Sequence, residues 1–353
     1  MKIKLEYVWL DGYKPEPNLR SKVKVIDFGG DIENPISLIM PKLMDIPQWS
    51  FDGSSTMQAE GSSSDCILNP VKLYHDPTRG GFSYIVMCEV LNMDGSTHET
   101  NTRASIGSEG KDNWFGFEQE YVLRWFNSKD NRPLGFENFQ QPEKQGKYYC
   151  SVGHPHSAGR EISEEHMDAC ISCGINITGT NAEVMLGQWE YQVLGEGNKD
   201  AADDLWVSRF LLRRIAEKYR VSVDFHPKPM GKGADWNGSG MHVNFSNREM
   251  REVGGKELFD SIFRHLEKTH KEAIDIYGSD NDQRLTGEHE TQSIDKFSWG
   301  MSDRGASIRV PVTTAKEWKG YLEDRRPGSN ADPYLITAYM DDILKTDVVS
   351  LQS

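Results

Sequence analysis

Trp114-Phe115-Gly116-Phe117-Glu118-Gln119-Glu120-Tyr121-Val122-Leu123 is the stretch from which the rest of the chain is best read. Its aromatic and β-branched residues predict a strand from Trp114 to Phe126. Alternate side chains of a strand share a face. Phe115, Phe117, Tyr121 and Leu123 then point one way, and Glu118 and Glu120 point the other. Two carboxylates so placed lie roughly 6–7 Å apart. At an effective dielectric of about 20 they repel by about 2.5 kcal/mol. Water screens that repulsion on a solvated face. In a cleft, a cation must neutralise it.

Other segments repeat the pattern. Glu183 stands in Asn181-Ala182-Glu183-Val184-Met185, and Glu190 in Gln188-Trp189-Glu190-Tyr191-Gln192-Val193. Gly187 between them permits a turn, so paired strands can aim both at one place. In Gly238-Ser239-Gly240-Met241-His242-Val243-Asn244-Phe245, His242 and Asn244 share one face, with Val243 and Phe245 on the other. Glu323 follows in Tyr321-Leu322-Glu323-Asp324-Arg325-Arg326. A lone Glu on a strand is usually a solvated edge charge. Five in apolar or aromatic settings, with one His, suit an oxygen-rich site for Mg²⁺ or Mn²⁺. Zinc would call for more His or Cys.

Cations accompany these carboxylates. Arg284, Arg304, Arg309 and Arg325 sit in short motifs, and Arg309 lies opposite Ile308 and Val310 on a predicted strand. An inward Arg meets a buried carboxylate or a phosphate. Metal and several Arg together are the apparatus of phosphoryl transfer. Neither GxxxxGK[ST] nor GxGxxG occurs, so a nucleotide must bind by another device.

Farther out, Lys22–Phe28 and Tyr84–Leu91 read as strands, and the polar run Trp49-Ser50-Phe51-Asp52-Gly53-Ser54-Ser55-Thr56 between them reads as a surface turn or a binding loop. Helices are expected over Glu161–Gly174, over Leu205–Tyr219, and across Leu258–Leu266. Asp332-Pro333 is an N-cap followed by Pro at the first helical position. Strands and helices do not alternate regularly, so the expected class is α+β.

The 353 residues carry a net charge of −14, which argues against a nucleic-acid surface. No apolar run approaches the roughly 20 residues that span a bilayer. The first residues, Met1 to Asp11, lack a signal-peptide core, so a cytoplasmic protein is expected. Cys170 and Cys173 form a CxxC without a second pair, and the five cysteines read as free thiols.

Taken together, several motifs resemble type II, eukaryotic-like glutamine synthetase. They are Phe51-Asp52-Gly53-Ser54-Ser55-Thr56, Trp114 to Tyr121, Gly179-Thr180-Asn181-Ala182-Glu183-Val184-Met185, Gln188-Trp189-Glu190, Trp236-Asn237-Gly238-Ser239-Gly240-Met241-His242, Arg284-Leu285-Thr286-Gly287, His289-Glu290-Thr291 and Glu323-Asp324-Arg325-Arg326-Pro327. They occur in the family's order and span nearly the whole chain. The resemblance implies a small amino-terminal β-grasp domain, about residues 1–100, and a large catalytic domain, about 101–353, with a curved antiparallel sheet. It implies ligation of ammonia to the γ-carboxylate of L-glutamate, driven by ATP.

Roles follow from the same resemblance. Glu120, Glu183 and Glu190 would hold one metal, and Glu118, His242 and Glu323 another, with Mg²⁺ or Mn²⁺ at two or more positions per site. Trp236, Asn237, Gly238, His242, Arg284, Arg304 and Arg325 would bind glutamate or the transferring phosphate. Glu190, Asn244, Ser246, Arg309 and Tyr321 would contact ATP. Asp52 would bind ammonium and take its proton, and Glu290 would be the flap over the intermediate, with Arg304 and Arg325 beside the reacting groups. The family assembly is a homodecamer of two pentameric rings with sites between neighbouring subunits, where Asp52 would act in trans. Neither nucleic acid nor membrane is expected as a partner. Asp235 and Glu288 depart from the family's usual Asn and apolar residue. A relative that uses a larger amine, and a silent scaffold homologue, are the competing readings.

Overall fold

The computed structural model describes residues 1–28, 41–126, 131–138 and 142–345. The chain forms two compact units, Met1–Ser105 with Ala169–Ile175, and Ile106–Asp168 with Asn176–Ser353.

The first unit is built on a five-stranded sheet ordered β2-β1-β5-β4-β3. Its strands are β1 (Lys2–Leu10), β2 (Leu19–Asp27), β3 (Trp49–Asp52), β4 (Asp65–His75) and β5 (Ser83–Leu91). β1 and β5 run parallel, and the other neighbours run antiparallel. Ile3, Leu5, Tyr7 and Trp9 of β1 enter the core with Leu68, Val86 and Val90. The Trp49–Thr56 run divides into two parts. Its first half pairs with β4 as an edge strand and buries Phe51, because an edge strand needs a partner on one side only. Its second half, Gly53–Thr56, is a 3₁₀ turn capped by Asp52.

The second unit holds an eight-stranded sheet. Its strands are β6 (Trp114–Trp125), β7 (Ile177–Ala182), β8 (Gln188–Glu196), β9 (Val221–Asp224), β10 (Met241–Ser246), β11 (Trp299–Met301), β12 (Ile308–Val310) and β13 (Leu322–Asp324). The order is β11-β12-β13-β10-β6-β8-β7, and β9 pairs with the far end of β6 beyond β10. Every pairing is antiparallel except β11 with β12.

One face of β6 is sealed as the alternation requires. Phe115, Phe117, Tyr121 and Leu123 are wholly buried. The helix Asn198–Lys218 buries Leu205, Trp206, Phe210, Leu211 and Ile215. It begins seven residues before the expected start at Leu205, where Ala201 and Ala202 are buried ahead of the large apolar stripe. Ala is the best helix former, so a small buried residue can extend a helix without announcing it by periodicity. Arg160–Cys173 and Lys256–Lys268 form the other expected helices. Asp332 caps the helix Pro333–Leu344 by accepting from the Tyr334 amide at 2.9 Å. All five cysteines are free, and Cys170 and Cys173 are buried. Among the described residues no helix is long and apolar enough to cross a membrane.

Candidate active site

Cross-strand register assembles the polar face of the second unit's sheet. Glu118 stands opposite His242 on β10 and Gln192 on β8. Glu120 stands opposite Glu190, which faces Asn181 on β7. Asn244 stands opposite Glu323, and Glu323 opposite Arg309. Two glycines make room for these rows. A Cβ on Gly116 would stand 3.3 Å from the Asn244 Cβ. One on Gly240 would stand 2.5 Å from an Arg284 nitrogen and 2.9 Å from His242 Nε2. Gly187, at φ +79°, makes the turn from β7 into β8.

A cavity of about 570 Å³ opens on this face. It is lined by Glu118, Glu120, Glu183, Glu190, His242 and Glu323, and by Asn237, Gly238, Arg284, Glu290, Arg304, Arg309 and Arg325. Two sets of ligand atoms converge within 4.8 Å: Glu118, His242 and Glu323, and Glu120, Glu190 and His242. Glu183 lines the same cavity but stands apart from both sets. Its carboxylate accepts from Asn181 Nδ2 at 2.9 Å and from the Val184 amide at 3.1 Å.

Electrostatics divide the cavity. Glu323 is paired, with Arg309 Nη1 on one oxygen and Arg325 Nη1 at 2.6 Å on the other. Glu120 and Glu190 share less cationic help. Glu120 accepts from Gln188 Nε2 and the Gly240 amide, both at 3.0 Å, and Glu190 accepts from Gln192. Burial raises the Glu120 pKa to about 7 against the pull of Arg284. Burial, then repulsion from Glu120, raises that of Glu183 to about 8. Glu190 is pushed well up by burial and by Glu118, Glu183 and Glu120.

His242 is neutral, its pKa driven down by burial and by Arg325. Arg284 Nη2 lies 3.1 Å from His242 Nε2. A guanidinium can only donate, so Nε2 accepts and the ring proton sits on Nδ1. Nδ1 faces Glu118 at 3.4 Å and Glu323 at 3.7 Å. Arg284 is itself held by the carbonyls of Arg325 and Arg326, and burial lowers its pKa to about 10.

The donor set passes the test for a divalent cation. It is oxygen-rich with one imidazole, and Glu120, Glu183 and Glu190 are crowded together with their pKa values raised by burial. Two orphaned atoms point to further ligands. Asn237 Oδ1, an acceptor, and Arg309 Nε, a donor, are buried with no hydrogen-bond partner. Such groups are costly unless a ligand or water satisfies them.

A second, more apolar hollow of about 390 Å³ shares Glu118 and Gln192 with the first. Asn244, Ser246 and Tyr321 line it, together with Trp114 and Arg251. The Arg251 guanidinium lies 3.9 Å from the centre of the Trp114 ring and donates to the Ser246 hydroxyl at 3.0 Å. Asn244 Nδ2 donates to Glu118 at 2.7 Å, at the junction of the two hollows.

Two expected residues stand elsewhere. Trp236 packs among Phe136, Tyr148, Met185 and Leu186 and does not line the cavity. Asp52 lies in the first unit, exposed. The Ser54 amide donates to it at 3.0 Å and the Ser54 hydroxyl at 2.6 Å, and these bonds hold its pKa below the usual carboxylate range. Sequence reasoning missed Gln188, Gln192, Asn181 and Tyr149. The first two alternate with Glu190 along β8, so the period that found Glu190 also marks them.

Residues 2–93 match the model of the glutamine synthetase beta-grasp domain, and residues 100–271 match that of the glutamine synthetase catalytic domain. A glutamine synthetase of Bradyrhizobium diazoefficiens is 51% identical, over 98% of this chain and 96% of its own. A probable glutamine synthetase of Caenorhabditis elegans is 47% identical, over 96% of this chain and 90% of its own. Among solved structures, a Plasmodium falciparum glutamine synthetase superposes with a TM-score of 0.75 at 15% identity, covering 99% of this chain and 73% of its own, a likeness of fold. With whole-length relatives at this identity, the chain belongs to the glutamine synthetase family.

Proposed function

We propose that this chain ligates ammonia to the γ-carboxylate of L-glutamate at the expense of ATP, by way of γ-glutamyl phosphate. The observation that carries this reading is the gathering of six Glu, two His and four Arg around one cavity. In the first step a γ-carboxylate oxygen attacks the γ-phosphorus of ATP, and ADP leaves. In the second, the nitrogen of ammonia attacks the acyl carbon, the carbon–oxygen bond breaks, and phosphate leaves.

Each residue has a task that its surroundings support. Glu120, Glu183 and Glu190 on one side, and Glu118, His242 and Glu323 on the other, are the groups that would hold Mg²⁺ or Mn²⁺. When bound, two or more such ions neutralise charge on the phosphates. Asn237, Gly238, His242 and Arg284 bind glutamate. The unpartnered Asn237 Oδ1 suits an ammonium donor such as the α-amino group. Arg304, Arg309 and Arg325 face the transferring phosphoryl group, and the unpartnered Nε of Arg309 suits a phosphate oxygen. The apolar hollow takes the nucleoside end of ATP beside Asn244, Ser246 and Tyr321, and Glu190 stands near its phosphates. Trp236 acts through packing, holding the Asn237-Gly238 backbone in place.

Asp52 attracts ammonium and takes its proton. Its serine hydrogen bonds keep it charged, which suits cation capture. The cavity is lined by residues of the second unit and Asp52 belongs to the first; in this reading Asp52 of one subunit serves a neighbour's site in a decamer of two pentameric rings. Glu290, on an exposed turn at the cavity, closes over the acyl phosphate and keeps water from it. A domain boundary near residue 100 belongs to this reading, and the extents of the two matched regions, 2–93 and 100–271, support it. Five free thiols fit a reducing, cytoplasmic setting.

Purified chain supplied with glutamate, ATP, Mg²⁺ and ammonium should form glutamine and phosphate in equal amounts. Methylamine and larger amines should react far more slowly. Faster turnover with a larger amine would remove ammonia as the substrate.

A further inference from the structure

The turn that carries Glu290 is held from outside the cavity. A bridge between Thr286 and Ser293 closes the loop. Within it Gly287, His289 and Glu290 have φ of +88°, +52° and +60°. Glycine takes this conformation freely, but His and Glu take it at a cost, and such a turn persists only where its surroundings fix it.

The fixing contacts converge on His289. Its Nδ1 lies 2.8 Å from Gln145 Nε2, an amide donor, so Nδ1 accepts. The ring proton then sits on Nε2, which faces Asp235 Oδ1 at 3.5 Å. The other Asp235 oxygen is held by Lys144 Nζ at 2.7 Å. On the cavity side, Arg325 Nη2 reaches the Glu290 carbonyl at 3.4 Å. His289 and Glu290 line the cavity, whereas Lys144, Gln145 and Asp235 do not.

We propose that Asp235 and Lys144, acting through His289, are positioning residues that set the Glu290 turn and so exclude water from the acylated substrate. This rests on the ligase reading above. The chain Lys144–Asp235–His289 runs from an exposed cation to the residue before Glu290, through a 2.7 Å hydrogen bond and a 3.5 Å carboxylate–imidazole approach. Without it the two strained positions relax, and Glu290 no longer covers the acyl phosphate. Water then attacks in place of ammonia: its oxygen bonds to the acyl carbon, phosphate leaves, a proton passes to solvent, and glutamate is regenerated.

The readout is coupling. Lys144 and Asp235 are 56% and 62% exposed, and an exposed pair contributes little to stability. Asp235→Asn and Lys144→Gln should therefore melt as the parent does. Both should raise the ratio of phosphate released to glutamine formed from one to about two or more, and raise the KM for ammonium at least about threefold, with the KM for ATP unchanged. Asp235→Glu, which keeps the charge, should restore part of the coupling. A ratio that stays at one in both neutral variants overturns the proposal. So does a lowered melting temperature with every rate reduced alike, which would make the cluster structural. Parent protein that forms no glutamine from ammonia would overturn the ligase reading and this proposal with it. Parent coupling of one to one, unchanged in the variants, removes only the clamp.

Discussion

The carboxylates of the cavity and the carboxylate of Asp52 are one chemical group under opposite conditions. Glu120, Glu183 and Glu190 are stripped of water and crowded by one another, and their pKa values rise. Asp52 is exposed and takes hydrogen bonds from Ser54 and Ser55, and its pKa falls. The first group gives up charge until a cation arrives. Asp52 keeps its charge whether or not a cation is near. Burial therefore separates carboxylates whose charge is disfavoured from one whose charge is kept.

The cavity end of this contrast breaks most sharply at Glu120. Glu120→Ala removes the carboxylate that accepts from Gln188 and Gly240 and stands opposite Glu190. Turnover should fall by about a thousandfold or more, with weaker Mn²⁺ binding by calorimetry and an unchanged far-ultraviolet circular dichroism spectrum. Activity like that of the parent would remove the metal assignment.

At the other end, Asp52→Asn keeps shape but loses charge. Glutamine formation should drop by about 10² to 10⁴, the range for a general base. Acyl-phosphate formation should survive, because Arg309 and the carboxylates of the cavity remain. Trapping with hydroxylamine in a single turnover reads this directly. Equal loss of both half-reactions would make Asp52 structural. Coassembly of Asp52→Ala with Glu323→Ala tests the neighbour's part in the site. Partial recovery is expected, and none despite demonstrated mixing would place Asp52 outside the neighbour's site.

A smaller effect sharpens the comparison through pH. Glu120 and Glu183 have folded pKa values of about 7 and about 8, above the ordinary 4.5. Between 4.5 and these values the folded metal-free protein holds more protons than the unfolded chain. Its stability is therefore greatest at the acid end of that window and falls as pH rises through about 7 and 8. A divalent cation displaces those protons, so metal affinity should rise over the same interval. Melting temperature in EDTA should decline from about pH 5.5 to about pH 8.5, and added Mn²⁺ should raise it most at the alkaline end. A metal-free melting temperature that climbs through the interval would contradict the buried, crowded state of these carboxylates.

Much of this was legible in the chain. The alternation in Trp114–Leu123 marks both the sealed face and the acidic face, and the same period puts His242 and Asn244 on one side of β10. Trp236 was not legible in the same way. Its neighbours in sequence line the cavity, but its own ring is large and apolar and packs beside Phe136 at 5.5 Å between ring centres. Gln188 and Gln192 escaped notice because a neutral amide carries no charge to call for explanation. The parallel pairing of β11 with β12 was also hidden, since a three-residue strand has too few positions to show direction or register.

By itself, the sequence determined which residue types share each strand face and which family the motifs resemble, because period-two alternation and short motifs are local properties. Tertiary structure alone decided that Glu120 meets Glu190, that Glu118 meets His242 and that Arg309 meets Glu323. The first two pairs join strands far apart in the chain, and the third joins two three-residue strands too short to show their register. Only their pairing sets which carboxylates lose water beside a bound guanidinium and which lose it crowded among other carboxylates.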